Sequence, residues 1–226
     1  MDEYQPGVVD GRNSGTDGRR LGRLLLLVGS PILLAAAFAA HPHGGADLVA
    51  AGDATADWWF RYHLVLLPLL GLLGVCLFVL LADFDGTTAT VGRAGTAVYG
   101  VCYVAFEAIA GIAVGIVLHE GEAFSGVQQE AATAIAEGIG TNPAVVALAL
   151  IGTAGGLVAV IAVGILYRRA GAPLAPVFLL GGAPLAMVGH GGGHVDVVGT
   201  LLFLVGVAWL ELRWSGPDGE AAETAP

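Results

Sequence analysis

Lysine is missing from this chain: all nine basic residues in 226 are arginine, set against 19 acids, for a formal net charge of −10. So acidic a balance argues against nucleic acid as a partner, because its phosphates would be repelled. Cysteine is nearly absent. Cys76 and Cys102 both lie inside apolar runs without CxxC or CxxCH spacing, which excludes a disulfide framework and c-type haem attachment. Walker A, dinucleotide-binding, HExxH and GxSxG patterns are also missing, so the HGGG at residues 190–193 has no lipase nucleophile to serve. Charge of either sign is scarce, at 12% of residues against 56% hydrophobic, with mean hydropathy +0.78. These values lie outside those of ordinary soluble domains and indicate a membrane protein. Acid-rich, lysine-free and rich in Ala and Gly, the composition is also halophile-like, since surface carboxylates hold water in high salt.

What is present is a set of long apolar runs. A helix needs about 20 mainly apolar residues to cross a hydrocarbon core of about 30 Å. Six stretches meet that need: Leu24–Ala40, Leu64–Ala82, Ala94–Leu118, Pro143–Leu166, Pro173–Gly189 and Val195–Leu212. The expected fold is an all-α, polytopic membrane bundle of six transmembrane helices over 24–212. A cytoplasmic N-terminal segment, 1–23, and an acidic tail, 213–226, are both expected to be disordered.

The arginines orient the bundle. Arg12, Arg19, Arg20 and Arg23 precede the first span, Arg93 lies between the second and third, Arg168 and Arg169 follow the fourth, and Arg213 follows the sixth. With an even number of spans these segments share one side, which the positive-inside rule makes cytoplasmic, with both termini there. Only Arg61 falls on the other side. Trp58, Trp59 and Tyr62 fit the outer interface, and Tyr167, Trp209 and Trp214 the inner one. The first span, with Arg19, Arg20 and Arg23 before it and Ala37-Phe38-Ala39 near its end, also has the pattern of a cleavable secretory signal. The segment His119 to Asn142 is the longest outer connection; Ser125 to Gln128 has capping-box spacing for a short surface helix, and Pro143 suits the first turn of the next span.

One carboxylate interrupts the third run. Glu107 lies at bilayer depth, where ionisable groups are costly and face a bundle interior or a water-filled cavity. Residues four apart share a helix face, so Tyr103, Glu107, Gly111, Gly115 and His119 form one row. Gly111 and Gly115 make a GxxxG seam for close helix packing, which turns Glu107 toward a neighbouring helix. No arginine lies at that depth, so a protonated, hydrogen-bonded carboxyl is expected. Glu107, with Tyr103 and His119, is the candidate proton or cation site; a plain interhelical hydrogen bond is the alternative.

All six histidines fall on the predicted outer side: His41, His43, His63, His119, His190 and His194. Imidazole is the commonest metal ligand, and Asp47, Asp53, Asp57, Glu120, Glu122 and Asp196 lie in the same layer. His63, His119, His190 and His194 are the candidate ligands for a divalent metal, zinc or copper, although the three glycines between His190 and His194 favour a hairpin over a helix. The expected function is therefore a small ion-handling membrane protein acting through Glu107, more readily a non-enzyme than an enzyme. The rivals are an outward-facing metal-binding or redox module and a non-catalytic assembly subunit. The lipid bilayer is the one expected macroscopic partner, with a small ion as cargo.

Overall fold

A computed structural model describes residues 13–41, 54–190 and 194–214. The expected acidic tail beyond Trp214, the start of the N-terminal segment, His43, and Asp47 and Asp53 lie outside the described residues. Among those described, every regular element is helical. Helices α1 (Asn13–Leu24) and α2 (Ser30–Ala39) are joined by a π-helical turn over Leu25–Gly29. They are followed by α3 (Ala54–Ala82), α4 (Thr87–Glu107), a second π-helical turn over Ala108–Ala113, and α5 (Val114–Gly121). The chain continues through α6 (Val127–Gly140), α7 (Pro143–Arg169), α8 (Leu174–Leu179), α9 (Gly182–Gly189) and α10 (Val195–Arg213).

Five stretches are long and apolar enough to cross a membrane: Gly18–Ala39, Ala56–Ala82, Thr87–Gly121, Val127–Arg169 and Val195–Arg213. The fifth run expected from sequence, Pro173–Gly189, is instead a broken pair, α8 and α9. Proline explains the break. Pro184 has no N–H to give the carbonyl of Leu180, and that carbonyl accepts from Ala183 instead, at 3.1 Å, in a tighter turn. The first helix begins at Asn13, inside the segment expected to lack structure. The expected cap at Ser125 is not used: Gly126, at φ +58°, precedes α6 without a side-chain cap. Asn142 does cap α7, its Oδ1 accepting from the Ala144 N–H at 2.9 Å with Pro143 in the first turn.

Small residues bring the helices together. A Cβ added at Gly155 of α7 would sit 2.7 Å from the carbonyl oxygen of Gly95 and 2.9 Å from the Tyr99 nitrogen. Across α9 and α10, a Cβ at Gly199 would lie 2.7 Å from the Gly182 carbonyl oxygen. Small residues allow this close backbone approach between helices.

The two ends of the bundle differ in chemistry. At one, Arg23 binds two carboxylates: Nε and Nη2 donate to Glu211 at 2.8 Å each, and Nη1 and Nη2 to Asp83 at 3.0 and 2.6 Å. Tyr167 packs there between Phe84 and Trp214, with ring centroids 5.0 and 5.4 Å away. Arg93 donates to the carbonyls of Leu81 and Phe84. The other end gathers His41, His63 and His190. Helices α8 and α9 carry the chain from the arginine end, after Arg169, to the histidine end, and α10 returns it.

A lysine at position 23 keeps the charge but not the planar fork that serves two carboxylates. Arg23→Lys is therefore expected to lower unfolding stability in detergent by about 1 kcal/mol, the modest scale of a partly exposed ion pair. Arg19→Lys, at an exposed position, leaves it unchanged; equal stability of both variants and the parent would contradict the role given to Arg23.

Candidate functional site

Glu107 is 1% exposed and ends α4 where the π-helical turn begins. An extra residue in a helical turn redirects the residues after it, and such turns recur at functional sites. The expected row is only partly kept inside. Gly111 and Gly115 stay buried against α3, while His119 reaches the surface, its side chain 46% exposed and 3.7 Å from Glu122.

Gly111 seats His63. A Cβ there would lie 2.7 Å from His63 Cγ, and one at Gly115 would lie 2.9 Å from the Cα of Phe60. The imidazole of His63, 1% exposed, fills the space that glycine leaves. Its Nδ1 lies 2.7 Å from the carbonyl oxygen of Trp59. A carbonyl only accepts, so Nδ1 carries the hydrogen, and Nε2 of the neutral ring presents a lone pair to the bundle. The Trp59 indole N–H in turn donates to the Gly111 carbonyl at 3.0 Å, tying α3 to the π-helical turn.

Two imidazoles flank the carboxylate. Glu107 Oε1 lies 3.4 Å from His63 Nε2, and Oε2 lies 3.2 Å from His190 Nε2. His190 follows α9 directly, its side chain only 10% exposed, with Phe38 at a ring-centroid distance of 5.4 Å. Where the sequence offers no arginine at this depth, two histidines stand beside the carboxyl.

A third imidazole completes the group. His41, 5% exposed, follows α2 after a single intervening residue. Its ring lies 5.0 Å from that of His190, 5.6 Å from that of His63 and 5.0 Å from that of Tyr62, edge-on in each case. The ligand atoms of His41, His63 and His190 all lie within 4.8 Å of one another. Asp196, fully buried at the start of α10, accepts from the Val197 N–H through Oδ1 at 2.7 Å, while its Oδ2 makes no hydrogen bond.

Of the four histidines expected to bind metal, the structure brings together His63 and His190, joins Glu107 and His41 to them, and leaves His119 and His194 exposed. Tyr103 is buried nearby, its ring centroid 6.4 Å from that of His190, with its hydroxyl donating to the Met187 carbonyl at 2.9 Å. His41 was not singled out because a proline follows it and the pair His41-Pro-His43 reads as extended. A usable signal was present: His41, His63 and His190 each stand at the same end of a different apolar run, so helix length alone sets them at one level. Arg61, on this side, supplies no countercharge to Glu107: it is 72% exposed and paired with Asp57 at 2.8 Å.

No protein-family model, curated protein or solved structure matches the chain. The functional argument therefore stands on the site.

Replacing Gly111 by alanine forces its new methyl group against the His63 ring. Gly111→Ala is expected to cost about 1–3 kcal/mol of unfolding stability, the usual scale of overpacking. Gly100→Ala, with nothing within 4 Å of its Cβ, is expected to be neutral or to gain up to about 1 kcal/mol from helix propensity. Equal effects at both positions, measured by denaturant titration in detergent, would contradict the seating of His63 on Gly111.

Proposed function

We propose that this chain is a six-span membrane protein that binds and handles a small cation at Glu107, His63, His190 and His41. The observation that carries the reading is a carboxylate 1% exposed, set 3.4 and 3.2 Å from two imidazole nitrogens. Polar groups that only hold this bundle together behave differently. The hydroxyls of Tyr62, Tyr99, Tyr103, Thr96 and Thr200 each donate to a backbone carbonyl. Glu107 instead faces ionisable side chains, and its Oε1 accepts no hydrogen bond. A buried group of this kind is the usual mark of an ion pathway.

The broken pair α8–α9 supplies the sixth crossing in this reading, because it joins the arginine end to the histidine end. Six crossings place both termini at the arginine end, and the positive-inside rule makes that end cytoplasmic. The cation site then lies in the outer half of the bundle, with Trp59, Tyr62 and Phe38 walling it and the bilayer surrounding the whole. His119 and the outer acids Glu120 and Glu122 stand at the surface beyond it.

Flux into proteoliposomes tests the reading. The parent protein is expected to carry protons or divalent cations, and Glu107→Gln to reduce that flux to the empty-liposome background, with Arg61→Gln unaffected. An unchanged flux in Glu107→Gln would overturn it, as would a loss confined to thermal stability, which is the outcome expected of a packing subunit.

A further inference from the structure

The cation class follows from the donor atoms. We propose that His41, His63, His190 and Glu107 form a four-ligand site for a late first-row divalent metal ion, of the zinc, cobalt, nickel or copper(II) class. The inference deepens the cation-handling reading and relies on the same cluster.

The donors number three imidazoles and one carboxylate. Magnesium and calcium require shells of six or more ligands dominated by oxygen, whereas imidazole suits zinc, copper and nickel. Thiolate, the ligand of softer ions such as copper(I), has no place here. Cys76, the buried cysteine of the described residues, donates to the Leu26 carbonyl at 3.3 Å and lies 3.1 Å from Ser30 Oγ.

Geometry supports the same class. Ligand distances of about 2.0–2.1 Å in a tetrahedron imply separations between ligand atoms of about 3.3–3.4 Å. Glu107 approaches two imidazoles at about that separation through different oxygens, Oε1 at 3.4 Å from His63 Nε2 and Oε2 at 3.2 Å from His190 Nε2, and a bound ion would take one of the two. The three imidazole atoms lie within 4.8 Å of one another, a spread wider than a bound ion would hold.

Part of the outer shell is present as well. A ligating histidine ordinarily gives its second N–H to a carbonyl or carboxylate, which fixes the tautomer and aims the lone pair. His63 does this through the Trp59 carbonyl at 2.7 Å. The Nδ1 of His190 has no hydrogen-bond partner and neither has Asp196 Oδ2, so this second carboxylate stands ready at the same end of the bundle. Each ligand comes from a different apolar run: the ends of α2 and α9, the outer part of α3 and the end of α4. Binding therefore crosslinks four segments.

Cobalt(II) is the probe, added to the full chain purified in detergent without chelators, followed by visible d–d absorption and by competition with zinc. The expected result is one ion per chain with tetrahedral absorption, and a rise in melting temperature on adding zinc. His41→Gln, His63→Gln and His190→Gln should each weaken binding by more than the roughly 10–100-fold typical of an outer-shell change. His119→Ala and His194→Ala should leave it intact, and magnesium should not compete. Because His63→Gln also alters packing on Gly111, His41→Gln at the end of α2 gives an independent reading, with circular dichroism reporting its fold. Absence of cobalt absorption in the parent would overturn the assignment, as would binding that survives the His41, His63 and His190 changes or is lost with His119 or His194. Glu107-dependent proton flux without metal binding would sink the metal site and leave the cation reading standing. Metal binding without Glu107-dependent flux would do the reverse.

Discussion

A carboxyl group that water cannot reach is the constraint around which this bundle is arranged. Ionised and unpaired, such a group costs several kcal/mol. Two imidazoles drawn from separate segments stand 3.4 and 3.2 Å from its two oxygens. Much of the local sequence follows from this. Gly111 must lack a side chain for His63 to stand beside Glu107. Trp59 serves twice, its indole N–H holding the Gly111 carbonyl and its own carbonyl holding His63 Nδ1.

Elsewhere the bundle uses a different means of cohesion. Helices α4 and α7, and α9 and α10, meet backbone to backbone across Gly95, Gly155, Gly182 and Gly199. Buried hydroxyls close onto carbonyls rather than onto one another. At the arginine end, Arg23 holds Asp83 and Glu211 together, so the start of the first long helix, the α3–α4 turn and the end of α10 share one anchor. A fixed arginine end and close glycine seams leave the histidine end as the place where a cation can act on four segments at once.

Much of this was legible in the sequence, for reasons that can be named. Apolar runs carry the helical architecture because a stretch of about 20 apolar residues folds as one long helix. Glu107 was legible as a site because a carboxylate in a 25-residue apolar run has no bland surface position to occupy. The broken α8–α9 pair was misread because hydropathy sums over Pro184 without registering its lost donor. The partners of Glu107 were half legible: His63 and His190 were chosen, but His119 and His194 were grouped with them since sequence assigns a side of the membrane, not a depth or a direction. The row Tyr103, Glu107, Gly111 and Gly115 is buried throughout, and only His119, near the end of α5, reaches the surface; His41 is masked in the sequence by the proline that follows it.

The account turns on whether one ion is held by three imidazoles and the Glu107 carboxylate. X-ray absorption at the zinc edge of the zinc-loaded full chain measures this directly. It predicts four nitrogen or oxygen neighbours at about 2.0–2.1 Å, with the outer-shell scattering of three imidazole rings, falling to two rings in His41→Gln. A first shell of water-like oxygens without imidazole scattering, or three rings that persist in His41→Gln, would contradict it.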